Sequence, residues 1–172
     1  MNGFVLLIPF ILIRFGLLSL IDKNAIRHAA FFAPVAGSEK IPYWLYQISN
    51  IFFFVYLCFL KIQPGTGWFS AGLTVYGLGT LLCIVAMVDF ARPAGNGISR
   101  EGCYRFSRNP MYIAYFLIFM GYMLLTRPMA LLVCLLVFQV SAHWIILAEE
   151  RWCIQEFGDE YIAYMRQVRR YL

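Results

Sequence analysis

An all-α integral membrane fold with about five spanning helices is the architecture this chain predicts, on three observations. Of its 172 residues 62% are hydrophobic and 13% charged, against about half and a quarter in ordinary globular chains. Charge is absent from long runs: between Ile41 and Phe90 only Lys61 and Asp89 carry it, and between Pro110 and Ala148 only Arg127. Finally, the basic residues fall almost wholly to one side of the layout those runs imply. This much apolar surface excludes a disordered chain. The net charge of +5 does not indicate nucleic acid, because the basic residues sit beside apolar stretches.

A spanning helix needs about 20 mostly apolar residues. The run from Ile41 to Phe90 holds two, divided at the turn-like Gln63-Pro64-Gly65-Thr66-Gly67. The run from Pro110 to Ala148 holds two more, divided at Thr126-Arg127-Pro128 and so forming a tight helical hairpin. Gly3 to Ile21 makes the first. Spans are thus expected near 3–21, 43–62, 67–90, 110–126 and 128–148. The first run has no basic n-region and no small-residue cleavage site after it, so it reads as a retained helix rather than a signal peptide. Arg14 within it is costly at membrane depth and either snorkels to the helix end or pairs inside the bundle. The whole chain, 1–172, reads as one membrane domain, with three spans in 1–90 and a polar functional core in 91–172.

Five spans place the first loop, the third loop and the tail on one side. That side holds Lys23, Arg27 and Lys40, then Arg92, Arg100, Arg105 and Arg108, then Arg151, Arg166, Arg169 and Arg170. The other side has Lys61 and Arg127. The positive-inside rule makes the basic side cytoplasmic, with the C-terminus there and the N-terminus outside. Metal chemistry is not expected. The five cysteines are at least 19 residues apart and only His28 and His143 could join them.

Polar chemistry gathers in two cytoplasmic segments. The loop ARPAGNGISREGCYRFSRNP combines Gly95, Gly97 and Gly102 with Pro93, which implies unusual backbone angles and close approach to a ligand. It ends at Asn109-Pro110, an N-cap residue and a first-turn proline, so the fourth span offers its positive helix end there, suited to a carboxylate. The tail opens on Glu149 and Glu150, which can bind an amino-bearing ligand or pair with Arg105 or Arg108. Beyond Gly158, the spacing of Tyr161, Met165, Val168 and Leu172, flanked by Arg166, Arg169 and Arg170, predicts an amphipathic helix lying against membrane lipid headgroups. Gln139, His143 and Glu150 line one face of the fifth span, where His143 is a proton acceptor, a substrate contact or a helix-to-helix hydrogen bond. Tyr112, Tyr115, Phe119 and Tyr122 share a face of the fourth, with Tyr112 nearest the cytosol. Gly72, Gly77 and Gly79 permit close helix approach in the third.

Taken in order, GCYRFSRNPMY, the EE pair some 37 residues later and FGDEYIAYMRQVRRYL resemble the isoprenylcysteine carboxyl methyltransferase family, whose relatives include the phospholipid N-methyltransferases. The resemblance covers residues 95 to 172. It implies a multi-span helical enzyme that methylates a lipidic or prenylated substrate with S-adenosylmethionine, in a cytoplasmic pocket roofed by the loop and the C-terminal segment. Carried across, the cofactor contacts are Tyr104, Asn109, Pro110, Met111, Tyr112 and Glu149, with Asn96, Gly97, Ile98 and Ser99 as a further stretch. Glu150 and His143 are the candidates for taking a proton when the acceptor is an amine. Asn109 stands where the family pattern has His, and Ile145 where eukaryotic members carry a substrate-contacting Arg. The donor's carboxylate suits the fourth span's N-terminal end, its amino and hydroxyl groups suit Glu149, and its sulfonium suits Tyr104 or Tyr112. The alternatives are a phospholipid amine N-methyltransferase and a membrane reductase of related architecture using NADPH.

Overall fold

The computed structural model describes residues 1–21, 33–35, 37–65, 67–92 and 97–171. Among them the only regular elements are helices: α1 (Gly3–Ile21, opening as a 3-10 turn), α2 (Lys40–Leu57), α3 (Gly67–Phe90), α4 (Pro110–Thr126), α5 (Met129–Phe157) and α6 (Asp159–Gln167), with 3-10 turns at Gly37–Glu39 and Gly102–Arg105. Helices α1, α3 and α5 are long and apolar enough to cross a membrane, and α4 is a shorter apolar one. Large side chains such as Leu78, Leu81, Leu136 and Val140 point outward along them, a surface that lipid covers and water would not tolerate. The chain is an integral membrane protein.

Two expected boundaries move. The second helix starts at Lys40, with Pro42 harmlessly in its first turn, and ends at Leu57 rather than 62. The chain then leaves the helix to pair with the N-terminal segment. The Gly3 amide donates to the Leu60 carbonyl (2.8 Å) and the Ile62 amide to that of Met1 (2.9 Å). The fifth helix does not stop at 148. It runs to Phe157, because nothing interrupts it before Gly158, whose φ of 55° ends it.

Helix α3 packs along α4, and α2 along α5. Lipid gives little hydrophobic drive to join helices, so close backbone contact must supply it. A Cβ on Gly79 would lie 2.8 Å from the Ile118 amide nitrogen, and one on Gly121 2.6 Å from the Cβ of Tyr76. Gly72 meets Leu124 and Leu125 in the same way, whereas Gly77 faces open space. Rings fill the centre: Phe53 stacks on Phe119 at 4.2 Å, and Phe138 meets Phe119 edge-on at 4.9 Å. Of the face predicted from Tyr112 to Tyr122, Tyr115, Phe119 and Tyr122 lie in the core, and Tyr112, at the start of α4, packs against it.

The amphipathic helix forms as α6, but its apolar side is turned to protein. Tyr161 and Tyr164 are buried with Ile98 against Cys153, Ile154 and Phe157. The cause is the longer α5, whose last turns supply an apolar partner.

Candidate active site

The loop after α3 is anchored by Asp89. Its carboxylate accepts the Cys103 amide at 2.8 Å. Gly102 sits at φ 59°, and a Cβ there would lie 2.0 Å from the same carboxylate, so only glycine fits. Burial, and after it the Asp89 carboxylate, push the Cys103 thiol up to about 12. The following 3-10 turn inserts Tyr104, whose carbonyl accepts the Tyr164 hydroxyl at 2.7 Å. The Tyr104 hydroxyl is buried and has no hydrogen-bond partner among the described residues. Burial first, then the neighbouring Cys103, Tyr115, Tyr164 and Glu149, raise its phenol well above the ordinary range, so it remains a hydrogen-bond donor.

Across from Tyr104, α4 and α5 are joined at their loop-side ends. The Tyr112 hydroxyl donates to Glu149 Oε1 at 2.8 Å. Glu150, one residue on, is 4% exposed and faces two guanidiniums. Arg108 Nη2 lies 3.1 Å from Glu150 Oε1. Arg170 reaches the same carboxylate through Nε (3.0 Å) and Nη2 (2.8 Å) to Oε2. The choice left open between a ligand and a basic partner for the acidic pair thus divides: Glu150 takes Arg108, and Glu149 takes a tyrosine.

Residues 168–171 lie over the loop as a strap. The Arg169 carbonyl accepts the Arg108 amide (2.9 Å), and that of Arg170 accepts from Ser107 Oγ (3.3 Å) and Asn109 Nδ2 (3.1 Å). The Asn109 side chain is therefore not the helix cap it was expected to be; no side chain caps α4. An asparagine has one side chain to give, and the strap holds it. Tyr171 takes His143, with Nδ1 and the hydroxyl 2.7 Å apart and the rings stacked.

Four buried polar atoms, all between residues 100 and 108, lack a partner among the described residues: Tyr104 Oη, Arg108 Nε and Nη1, and Arg100 Nε. Buried donors are normally satisfied. Arg108 is the sharpest case, since its side chain is 7% exposed.

The phospholipid methyltransferase family matches residues 71–160, from the first turns of α3 to the start of α6. The chain belongs to this family. It is a membrane methyltransferase, and the matched segment contains Asp89, the loop, Tyr112 and both glutamates. No curated protein and no solved structure matches the chain.

Set against the residues expected to hold the methyltransferase's cofactor, Tyr104, Asn109, Pro110, Met111, Tyr112 and Glu149 all gather where the loop, α4 and α5 meet. Ile98 is buried against α6, Ser99 Oγ reaches the Phe90 carbonyl at 3.4 Å, and Gly97 lies beside Phe157. Asn96 falls outside the described residues. Glu150 and His143 both contact the strap, through Arg170 and Tyr171. Sequence reasoning named Arg108 only as a partner for the acidic pair and missed that its Nε and Nη1 lie buried without a partner among the described residues. Its signal was available: a basic residue two positions before Pro110, on the loop already singled out. Among the described residues no group of three His, Cys, Asp or Glu side chains is placed to hold a metal ion.

Proposed function

We propose that this methyltransferase uses S-adenosylmethionine and acts on a lipidic or prenylated small molecule at the cytoplasmic membrane face, in the manner of the isoprenylcysteine carboxyl methyltransferases. The observation that carries the reading is the set of unpartnered buried donors, Tyr104 Oη and Arg108 Nε and Nη1, beside the Tyr112–Glu149 pair. An amino-acid carboxylate satisfies such donors, and a nearby glutamate suits an amino or ribose hydroxyl group, so the residues present fit the cofactor. When bound, S-adenosylmethionine supplies an electrophilic methyl group, which passes to the acceptor atom as the carbon–sulfur bond opens to a neutral thioether.

The protein's part is to bind, orient and exclude water. Tyr104 and Arg108 hold the carboxylate end. Tyr112 fixes one oxygen of Glu149, leaving the other for a ligand donor. Pre-alignment of acceptor and methyl removes the entropic cost of their encounter. A carboxylate acceptor needs no base; for an amine acceptor, Glu149 stands at the loop end of α5, where Glu150 is already engaged by two arginines. A carboxylate in such a grip is a poor base, and Glu150's role is to hold Arg108 in place. His143 orients Tyr171 and so the strap. The loop and the tail that opens on Glu149 carry most of the chain's basic residues, and the positive-inside rule supports a cytoplasmic position for this chemistry.

Calorimetry with S-adenosylhomocysteine on the detergent-solubilised protein tests the reading. Binding by the wild type, weakened about 100-fold in Glu149→Ala as expected for a lost charge-assisted hydrogen bond, supports it; no binding by the intact protein overturns it.

A further inference from the structure

Inside the bundle, beneath the loop, lies a charged group outside the matched segment. Arg14 belongs to α1, on the stripe Leu7, Phe10, Arg14, Leu17 and Ile21, whose apolar members all pack into the core. The stripe carries the guanidinium inward rather than to lipid. There it donates to the Tyr115 hydroxyl, and its Cζ stands 5.4 Å from the centre of that ring. Tyr115 meets Tyr112 edge-on at 6.2 Å, Tyr112 lies 6.3 Å from Tyr46, and Tyr112 holds Glu149. One cation thus enters a wall of three tyrosines that ends at the proposed methyl-transfer centre.

The backbone around Arg14 is unusual as well. Leu12–Leu17 is π-helical. Such turns are rare, are poorer in hydrogen bonding than an α-helix, and concentrate at functional sites. A cation inside a span is a second expensive feature, and both fall on the same residue. Arg14 is seven residues from the end of α1 and Tyr115 five residues into α4, about 10 and 8 Å from the loop-side surface at 1.5 Å per residue. Ile11, Leu12 and Phe15 beside it are exposed towards lipid, and Arg14 itself is only partly buried. An amphiphile lying along α1 can therefore keep its chain in the bilayer and place a polar head against the guanidinium.

We propose that Arg14 and the Tyr115 hydroxyl bind the anionic oxygen group of the lipid substrate, a phosphate or a carboxylate, and so direct the rest of its head towards Tyr112 and Glu149. This rests on the methyl-transfer reading only in calling that ligand the substrate. Helix α1 then selects the acceptor, while the family segment handles the methyl donor.

The test compares dodecyl phosphate, dodecanoate and dodecanol, each titrated below its critical micelle concentration into protein in dodecyl maltoside. Binding is read by calorimetry, with S-adenosylhomocysteine affinity measured in parallel. The wild type is expected to bind at least one anion ten-fold or more tightly than the alcohol. A preference for the phosphate assigns a phospholipid-like substrate, and a preference for the carboxylate an acid-terminated one. Arg14→Gln is expected to lose the preference, Arg14→Lys to keep it, and Tyr115→Phe to reduce it several-fold, while each variant still binds S-adenosylhomocysteine. Equal binding of the three amphiphiles by the wild type overturns the proposal, as does a preference that survives in Arg14→Gln. A wild type that binds an anion with this preference but does not bind S-adenosylhomocysteine would defeat the methyl-transfer reading and leave the Arg14 site standing.

Discussion

The two ends of the bundle are built differently. At one end, Met1–Gly3, Cys58–Gln63 and Thr126–Pro128 interlock mainly through backbone: Met1, Gly3, Leu60, Ile62, Gln63 and Leu125 exchange main-chain hydrogen bonds. Arg127 adopts φ 62° to turn the hairpin, and Asn2 accepts the Phe4 amide (2.8 Å) and donates to the Cys58 carbonyl (2.9 Å). At the other end, loop, helix ends and strap are held largely by side chains, and the buried polar side-chain atoms that lack a partner among the described residues all lie there. On the proposed function, the difference separates structure from chemistry. A terminus that only closes the bundle satisfies its groups within the protein, whereas one that receives a ligand keeps donors in reserve.

The largest expected effect tests the ionic hold on the strap. Glu150→Ala leaves Arg108 buried without its carboxylate and should cost about 3–5 kcal/mol, read as the midpoint of thermal unfolding in detergent. A midpoint close to wild type would show that the strap is held by its backbone contacts instead. Next comes a donor held in reserve. Tyr104→Phe removes a hydroxyl that no group among the described residues engages, so the unliganded protein should lose no stability. Its affinity for S-adenosylhomocysteine should fall about ten-fold, the worth of one hydrogen bond of about 1–1.5 kcal/mol. Loss of stability with unchanged affinity would refute the assignment.

The closing end supplies the converse. Asn2→Ala removes a capping side chain and should cost about 1 kcal/mol, while ligand affinity stays as in the wild type. A change in affinity would mean that the two ends are coupled. The smallest effect concerns Cys103. With its thiol raised to about 12 by burial and by Asp89, thiolate is scarce at neutral pH. Alkylation followed by peptide mass mapping should therefore quicken about ten-fold per pH unit up to that value. Asp89→Asn should make the thiol react faster at a given pH, and an unchanged rate would remove Asp89 as a cause.

Much of the helical layout was legible, because a membrane-crossing helix is announced by composition alone. Breaks were legible where Pro and Gly stand together, as at Gln63–Gly67, and less so where tertiary contacts set the boundary. Leu57 ends α2 because residues 60–62 pair with Met1 and Gly3, which no local signal announces. The stripe of α6 was visible as a period, but its partner was not: Ile98 lies more than 60 residues away from it in sequence. Tyr104, Tyr112 and Glu149 were reached through an ordered motif. Arg108 was already named as a partner for the acidic pair. The contacts of Arg170 with Glu150, of Tyr171 with His143 and of Asn109 with the Arg170 carbonyl were not, because a motif orders the C-terminal segment along the chain without saying which side chains it meets.

By itself, the order of apolar runs and charges determined that this protein lives in a membrane, where its chain turns, and which side gathers its polar chemistry. Those are properties of transfer between water and lipid, summed residue by residue along the chain. Tertiary structure alone decided which carboxylate is neutralised and which remains available, and it joined Arg14 to Tyr115 across 101 residues. The identity of a side chain fixes its charge, but the work that charge does depends on what stands within a few ångströms, and only packing brings those neighbours together.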